Sequence, residues 1–251
     1  MSAIWRKNTV VTLTTFRRIT MIQLTRFGVV CDVDDSELAV LRHEFVERQC
    51  LRLANFLEPK LLEQLQRRLE QDEFYQRQHQ DTRLELCLKE EATHGLVHFL
   101  INDPGLFEIL QKITGCGRIG RFYGRVYRMV PGAGHYDSWH DDAFENRMIT
   151  ISINLSREFY RGGLLQIRER QSKRFLHEIA NTGFGDAIVF RVDSGLQHRV
   201  TDVEGDVEKV ALSGWFVPWP DYPFSLRLAL AQKKAAGDDE PSSLDDNSRK
   251  S

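Results

Sequence analysis

The sequence predicts an α+β fold, a helical N-terminal layer packed on a C-terminal antiparallel β-barrel. Three observations carry that expectation. Apolar residues recur at helical spacing as far as Gly115; beyond it the chain breaks into short β-branched or aromatic runs; and turn-forming clusters separate those runs. With 41% of its 251 residues apolar, the chain can bury the core of one large domain or two small ones.

Residues 35–49, DSELAVLRHEFVERQ, read as a helix with Asp35 as its cap and Leu38, Leu41 and Phe45 on one face. Residues 51–57 read as a short strand. Pro59 opens a long helix carrying Leu61, Leu62, Leu65 and Leu69. Another helix is expected near 93–102 despite Gly95 in its interior, and a further one runs from Asp103-Pro104, a cap followed by a first-turn proline, to Gly115. Seven strand-like runs follow: RFYGRVYRMV, MITISINL, GLLQIRE, KRFLHEIA, DAIVFRV, LQHRVTDV and KVALSGWFV. They are divided by PGAG, YRGG, NTGFGD and VEGD, which implies an antiparallel sandwich or barrel. The regions are therefore a leader over 1–20, a helical support region over 21–117, the barrel over 118–220, a closing helix over 221–235 and a polar, acidic tail over 236–251 that is expected to be disordered.

A formal charge of −2 gives no electrostatic reason to expect nucleic acid or an anionic membrane as partner. No apolar run approaches the roughly 20 residues of a spanning helix. Cys31, Cys50, Cys87 and Cys116 form no C-x-x-C pair and read as free thiols in a reducing, cytoplasmic compartment. Residues 1–31 contain no acid but carry Arg6, Lys7, Arg17, Arg18 and Arg26. An organelle-targeting leader fits that segment as well as a blander reading does, either a poorly structured leader or an upstream start with Met21 as the functional start.

Chemistry concentrates around His140-Asp141-Asp142. On a strand, residues i and i+2 share a face, so His140 and Asp142 can both point into a barrel while Asp141 points away. Two donors hold a metal loosely; His198 in LQHRV is the best third. Two histidines and a carboxylate on one face form the facial triad suited to non-haem Fe(II), with coordination positions left open. In KVALSGWF, Lys209, Ala211, Ser213 and Trp215 share one face and Val210, Leu212, Gly214 and Phe216 the other. A lysine directed into a barrel is expensive unless it meets an anion, and the small residues beside it leave room for a slender acid.

The run of P-G (131–132), H-x-D (140–142), G-G-x-L (162–165), H-R-V (198–200) and K-x-x-x-S-x-W (209–215) resembles the prolyl 4-hydroxylase-like branch of the Fe(II)/2-oxoglutarate-dependent dioxygenases. The resemblance covers about residues 118–219. It implies a double-stranded β-helix, the jelly-roll or cupin-like barrel, and makes His140, Asp142 and His198 iron ligands. It also implies that Lys209 pairs with the distal carboxylate of 2-oxoglutarate, as a point charge where many relatives use arginine. Ser213 would add a hydrogen bond, Asn154 and Tyr136 would be further pocket contacts, and Trp215 would wall the pocket. The implied cofactors are Fe(II), 2-oxoglutarate, O2 and, as a reductant, ascorbate. The implied reaction is oxidative decarboxylation of 2-oxoglutarate to succinate and CO2, coupled to hydroxylation of a C–H bond in a small metabolite, an amino acid or a peptidyl residue. Related halogenases replace the carboxylate ligand with a small residue, so Asp142 favours hydroxylation.

Taken singly, each of these residues has a blander reading: a loop hydrogen-bond pair, a satisfied barrel histidine, an exposed edge lysine. Their joint order and spacing favour the iron site. A rival set, Glu90, His94 and His98 on one helix, spans about 12 Å and is too long to share one ion. Asp141 and Glu145 read as supporting or solvent groups, RERQSKR (168–174) as a solvated hairpin, His43 and His177 as structural, and His135 as a border of the substrate entrance. Segments 78–92 and 143–148 are the expected lids. The competing functions are a non-catalytic barrel that binds metal or 2-oxoglutarate as a sensor or docking module, and a cupin-like isomerase or hydrolase. A nucleic-acid demethylase is disfavoured, because the arginine-rich pattern after the second histidine is missing.

Overall fold

The computed structural model describes residues 22–219 apart from 80–81, 90–91, 145 and 181–182. The expected leader, closing helix and tail lie outside the described residues, as do Glu90 and Glu145. In chain order the elements are β1 (Ile22–Thr25), β2 (Gly28–Cys31), α1 (Asp35–Arg48), β3 (Cys50–Leu53), α2 (Pro59–Gln71), β4 (Phe74–His79), β5 (Arg83–Leu88), α3 (Ala92–Ile101), α4 (Pro104–Thr114) and β6 (Ile119–Met129). There follow β7 (Tyr136–His140), β8 (Ile149–Asn154), β9 (Arg161–Gly162), β10 (Leu165–Glu169), β11 (Phe175–Ile179), β12 (Ala187–Arg191), β13 (Leu196–Val200), β14 (Val203–Glu204) and β15 (Lys209–Pro218).

The helices form where their apolar periodicity predicts. Leu38, Leu41 and Phe45 bury the inner stripe of α1, and Leu61, Leu62, Leu65 and Leu69 that of α2. The cap of α1 sits one residue earlier than expected. Asp34, not Asp35, accepts from the Glu37 N–H at 2.9 Å, and the Glu37 carboxylate accepts from the Asp34 N–H at 3.2 Å. Asp103 caps α4 through the Leu106 N–H, and Gly115 ends it in the left-handed region. Gly95 stands at an exposed position of α3 that a methyl group could occupy freely, so its only cost is backbone entropy.

Ten strands form one curled sheet in the order β11-β10-β13-β7-β5-β6-β15-β8-β12-β3, with β4 added on β5; each named pairing is antiparallel. The support region is thus not purely helical, since β3, β4 and β5 belong to this sheet. The strand expected over 51–57 is β3 and stops at Leu53, because the chain turns at Asn55 (φ 52°), whose N–H donates to Asp186. On β15 the even residues Val210, Leu212 and Phe216 join the core shared with the helices. The odd residues Lys209, Ser213 and Trp215 turn into the barrel. At the crossing of β15 and β6, Gly124 faces Gly214; a Cβ at Gly214 would lie 2.4 Å from the Tyr123 carbonyl oxygen, so no other residue fits there without moving the strands.

Candidate metal centre and its cavity

The barrel brings His140, Asp142 and His198 together, with one donor atom from each lying within 4.8 Å of the others. His140 ends β7, and the register aligns it with His198 on the neighbouring β13. Asp142 stands two residues beyond the strand end yet turns back between the imidazoles. Its Oδ1 is 3.8 Å from His140 Nε2 and its Oδ2 3.2 Å from His198 Nε2. The Trp215 indole N–H donates to the same Oδ2 at 2.7 Å and holds the carboxylate in that pose.

The donor chemistry fits a divalent metal. His140 directs Nδ1 at the Ser138 carbonyl, 2.7 Å away, which leaves Nε2 to present its lone pair. Two guanidiniums already reach these donors: Arg83 Nη2 lies 2.6 Å from His140 Nε2, and Arg147 Nη1 donates to Asp142 Oδ1 at 3.3 Å. The three groups therefore converge lone pairs on positive charge. For Asp142, burial would raise the pKa, but His198, His140 and the Trp215 bond hold the carboxyl well below the usual range. His198 moves down, chiefly through burial. His140 moves up: burial alone would lower it, and Asp137, with Oδ1 3.2 Å from Nδ1, more than reverses that.

Asp137 was not legible in the sequence. Alternation along YDSWH puts Tyr136, Ser138 and His140 on one face and Asp137 on the other. A bulge intervenes: His198 pairs with His140, but Val200 pairs with Asp137, so β7 spends one extra residue there. The parity flips and Asp137 enters the inner cavity with Asp142 and His198, where it pairs with Arg83 at 3.2 Å. Burial opposes its ionisation, but Arg83 and His140 bring its pKa down to about 2. The same bulge takes Tyr136 off the cavity lining, which corrects the expectation that it is a pocket contact.

An inner cavity runs from Asp142 and His198 to Lys209 and Ser213, walled by Ser152, Leu165, Ile188, Phe190, Val200 and Trp215. Lys209 is 3% exposed and donates to the Gly163 carbonyl at 2.7 Å. Burial pushes its pKa down to about 8, with Asp137 opposing. Gly163 is required here, since a Cβ would sit 3.0 Å from the lysine stem and the backbone is left-handed (φ 59°). Asn154 does not line this cavity. Its amide donates to the Gly183 carbonyl and accepts from the Ser156 N–H, tying the segment after β8 to the one before β12, which corrects its assignment as a pocket contact.

The remaining sequence candidates sort plainly. Asp141 turns outward to Arg170 at 3.0 Å. His135 accepts the Val130 N–H and staples the turn before β7. His98 bonds the Gly124 carbonyl while His94 stacks on it, so both serve the helix-to-sheet contact. Residues missed in the sequence are Arg83, Glu85, Arg125 and Arg147. In β5, RLELCL, the alternation is readable, but its sign is reversed: Arg83 and Glu85 are the buried residues and Leu84 and Leu86 are half-buried. The buried charges are neutralised in place, Glu85 by Arg125 and Asp137 by Arg83.

A family model, the 2OG-Fe(II) oxygenase superfamily, matches residues 124–217, which hold all three triad residues and Lys209. Residues 124–217 are a 2OG-Fe(II) oxygenase superfamily domain. No curated protein sequence matches the chain. Among solved structures, a Pseudomonas putida prolyl-4-hydroxylase is 19% identical, with 72% of this chain and 98% of that one covered and a TM-score of 0.56. An oxidoreductase of the 2OG-Fe(II) oxygenase family from Burkholderia pseudomallei is 16% identical, over 78% and 95% of the chains, with a TM-score of 0.56. A Trichoplax adhaerens prolyl hydroxylase, solved with a hypoxia inducible factor oxygen degradation domain peptide fragment, is 15% identical, over 73% and 90%, with a TM-score of 0.57. At such identities the likeness is one of fold, and the fold of this oxygenase domain is the double-stranded β-helix.

Proposed function

We propose that this 2OG-Fe(II) oxygenase hydroxylates a C–H bond of a small-molecule or peptidyl substrate, with Fe(II) held by His140, Asp142 and His198. The observation that carries the reading is Lys209. A fully enclosed ammonium faces the same inner cavity as Asp142 and His198, and among the described residues no carboxylate lies within ion-pair distance of it. Such a charge is stable only where an anion completes it. A dicarboxylate bridging metal and lysine satisfies both ends of the cavity, and the cosubstrate of this superfamily is one.

When bound, Fe(II) supplies the oxidising chemistry that couples loss of CO2 from 2-oxoglutarate, leaving succinate, to insertion of oxygen into the substrate. The chain's own residues set the geometry. Trp215 fixes Asp142 through its indole N–H, and Ser138 fixes the ring of His140. Lys209, with Ser213 beside it, anchors the distal carboxylate. Leu165, Ile188, Phe190 and Val200 form an apolar wall of the inner cavity that limits the entry of water. Retention of Asp142 as a ligand supports hydroxylation over halogenation, and ascorbate belongs to the reading as the reductant. The net charge of −2 gives no electrostatic support to nucleic acid as a partner, and no helix among the described residues is long and apolar enough to cross a membrane. Four free cysteines, two of them buried, support a reducing, cytoplasmic setting.

The test is an anaerobic titration of Fe(II)-loaded protein with 2-oxoglutarate, following the visible metal-to-ligand charge-transfer band. The band should form in the wild-type protein and vanish in His140→Ala. Its absence from folded, iron-loaded wild-type protein would sink the oxygenase reading and leave a non-catalytic barrel. Succinate formed in step with a hydroxylated product separates hydroxylase from sensor.

A further inference from the structure

Outside the triad lies a second chamber, a cleft of about 450 Å³ that shares Arg83, Arg125, Asp142 and Trp215 with the inner cavity. Four guanidiniums line it: Arg77, Arg83, Arg125 and Arg147. The sheet places three of them there. Pairing of β4 with β5 sets Arg77 opposite Glu85, and Arg125 follows on β6, the strand beyond. Arg147 comes from the loop before β8 and stacks its guanidinium 3.8 Å from the Trp215 ring centroid.

The carboxylates of the cleft do not balance this charge. Glu85 is paired with Arg125 and Asp137 with Arg83, Asp141 is turned to Arg170, and Asp142 bonds Arg147 while belonging to the triad, which leaves the charge of Arg77. Arg77 is exposed at the cleft mouth on an edge strand, with no carboxylate among the described residues at ion-pair distance. His79 registers the combined field: its pKa is lowered, first by burial and then by Arg83, Arg77, Arg125 and Arg147 together. Bound Fe(II) and the 2-oxoglutarate dianion cancel each other, so the cleft stays cationic when both are loaded.

We propose that the substrate is a small organic anion, a carboxylate or phosphate ester, whose charged group is held by Arg77 and Arg147 at the cleft mouth while its reacting carbon faces the triad. The assignment rests on the oxygenase reading and adds the substrate class. Planar guanidinium forks suit carboxylate and phosphate oxygens. The aromatic walls Tyr123, Phe144 and Trp215 enclose a volume of small-molecule scale.

The test uses the full chain loaded with Zn(II), which blocks turnover, and saturated with 2-oxoglutarate so that the inner anion site is filled. Phenyl phosphate and benzoate are titrated calorimetrically against their uncharged counterparts phenol and benzamide. The anions should bind at least about tenfold more tightly, and Arg77→Gln should remove about tenfold of that affinity. The charge-transfer band of Arg77→Gln in its Fe(II) form should be unchanged. Equal affinity for charged and uncharged probes, or an Arg77→Gln variant that binds the anions normally, overturns the substrate class and leaves the oxygenase standing. Binding of a hexaglutamate peptide with neither small anion bound overturns the small-molecule assignment. A wild-type protein that forms no band removes both readings at once.

Discussion

Replacing Lys209 with methionine separates a cosubstrate-binding lysine from a structural one. The ammonium is 3% exposed, and burial brings its pKa from 10.5 to about 8. Keeping the charge there costs about 3 kcal/mol, since each pKa unit is worth about 1.4 kcal/mol. Methionine retains the volume of the stem and removes that cost. It also strips the Gly163 carbonyl of its donor at 2.7 Å, a loss of about 1–3 kcal/mol. The difference leaves the ligand-free variant as stable as wild type or up to about 2 kcal/mol more stable. The dicarboxylate, by contrast, loses a charge-assisted hydrogen bond of about 1.5–3 kcal/mol, which is about ten- to 150-fold in Kd. Anaerobic titration of the charge-transfer band gives Kd, and thermal unfolding of the same preparation gives stability. An unchanged Kd in folded, iron-loaded variant would refute the assignment. So would a loss of affinity matched by an equal loss of stability.

The same ammonium predicts a pH dependence. Binding of the anion needs the charged lysine, whose pKa is depressed to about 8, so affinity for 2-oxoglutarate should be flat below neutrality and fall about tenfold per pH unit above pH 8; a Kd that stays constant to pH 9.5 contradicts this. Asp137→Asn should weaken metal binding about ten- to hundredfold by removing the partner of His140 and Arg83. Asp141→Asn, altering a carboxylate that turns to Arg170, should leave metal affinity unchanged in the same competition titration. Phe216→Ala should cost about 3–5 kcal/mol in chemical denaturation, because the ring is fully buried against Phe107 and Phe122. It lies on the helix side of the sheet, so the folded fraction should keep its metal affinity.

Elements whose signal is local were legible in the sequence. Leu61, Leu62, Leu65 and Leu69 repeat at the helical period behind a first-turn proline, and α2 forms there with those four buried. On β15 the alternation of Lys209, Ala211, Ser213 and Trp215 with Val210, Leu212, Gly214 and Phe216 states which residues turn inward, and the barrel obeys it. Strand β5 was missed for an equally physical reason. Burial of Arg83 and Glu85 inverts the usual pattern, and it is tolerated only because Asp137 and Arg125 arrive from strands remote in sequence.

By itself the sequence determined the helical layer, the run of antiparallel strands and the order H-x-D, H, K, because each rests on side-chain period or spacing along the chain. Only the tertiary structure decided which groups surround the triad. The bulge in β7 exchanges Tyr136 for Asp137 in the cavity, the loop after β8 claims Asn154, and four arginines from separate elements converge on one cleft. Those outcomes depend on strand register and on electrostatic compensation between distant residues, and neither is written in any local stretch of the chain.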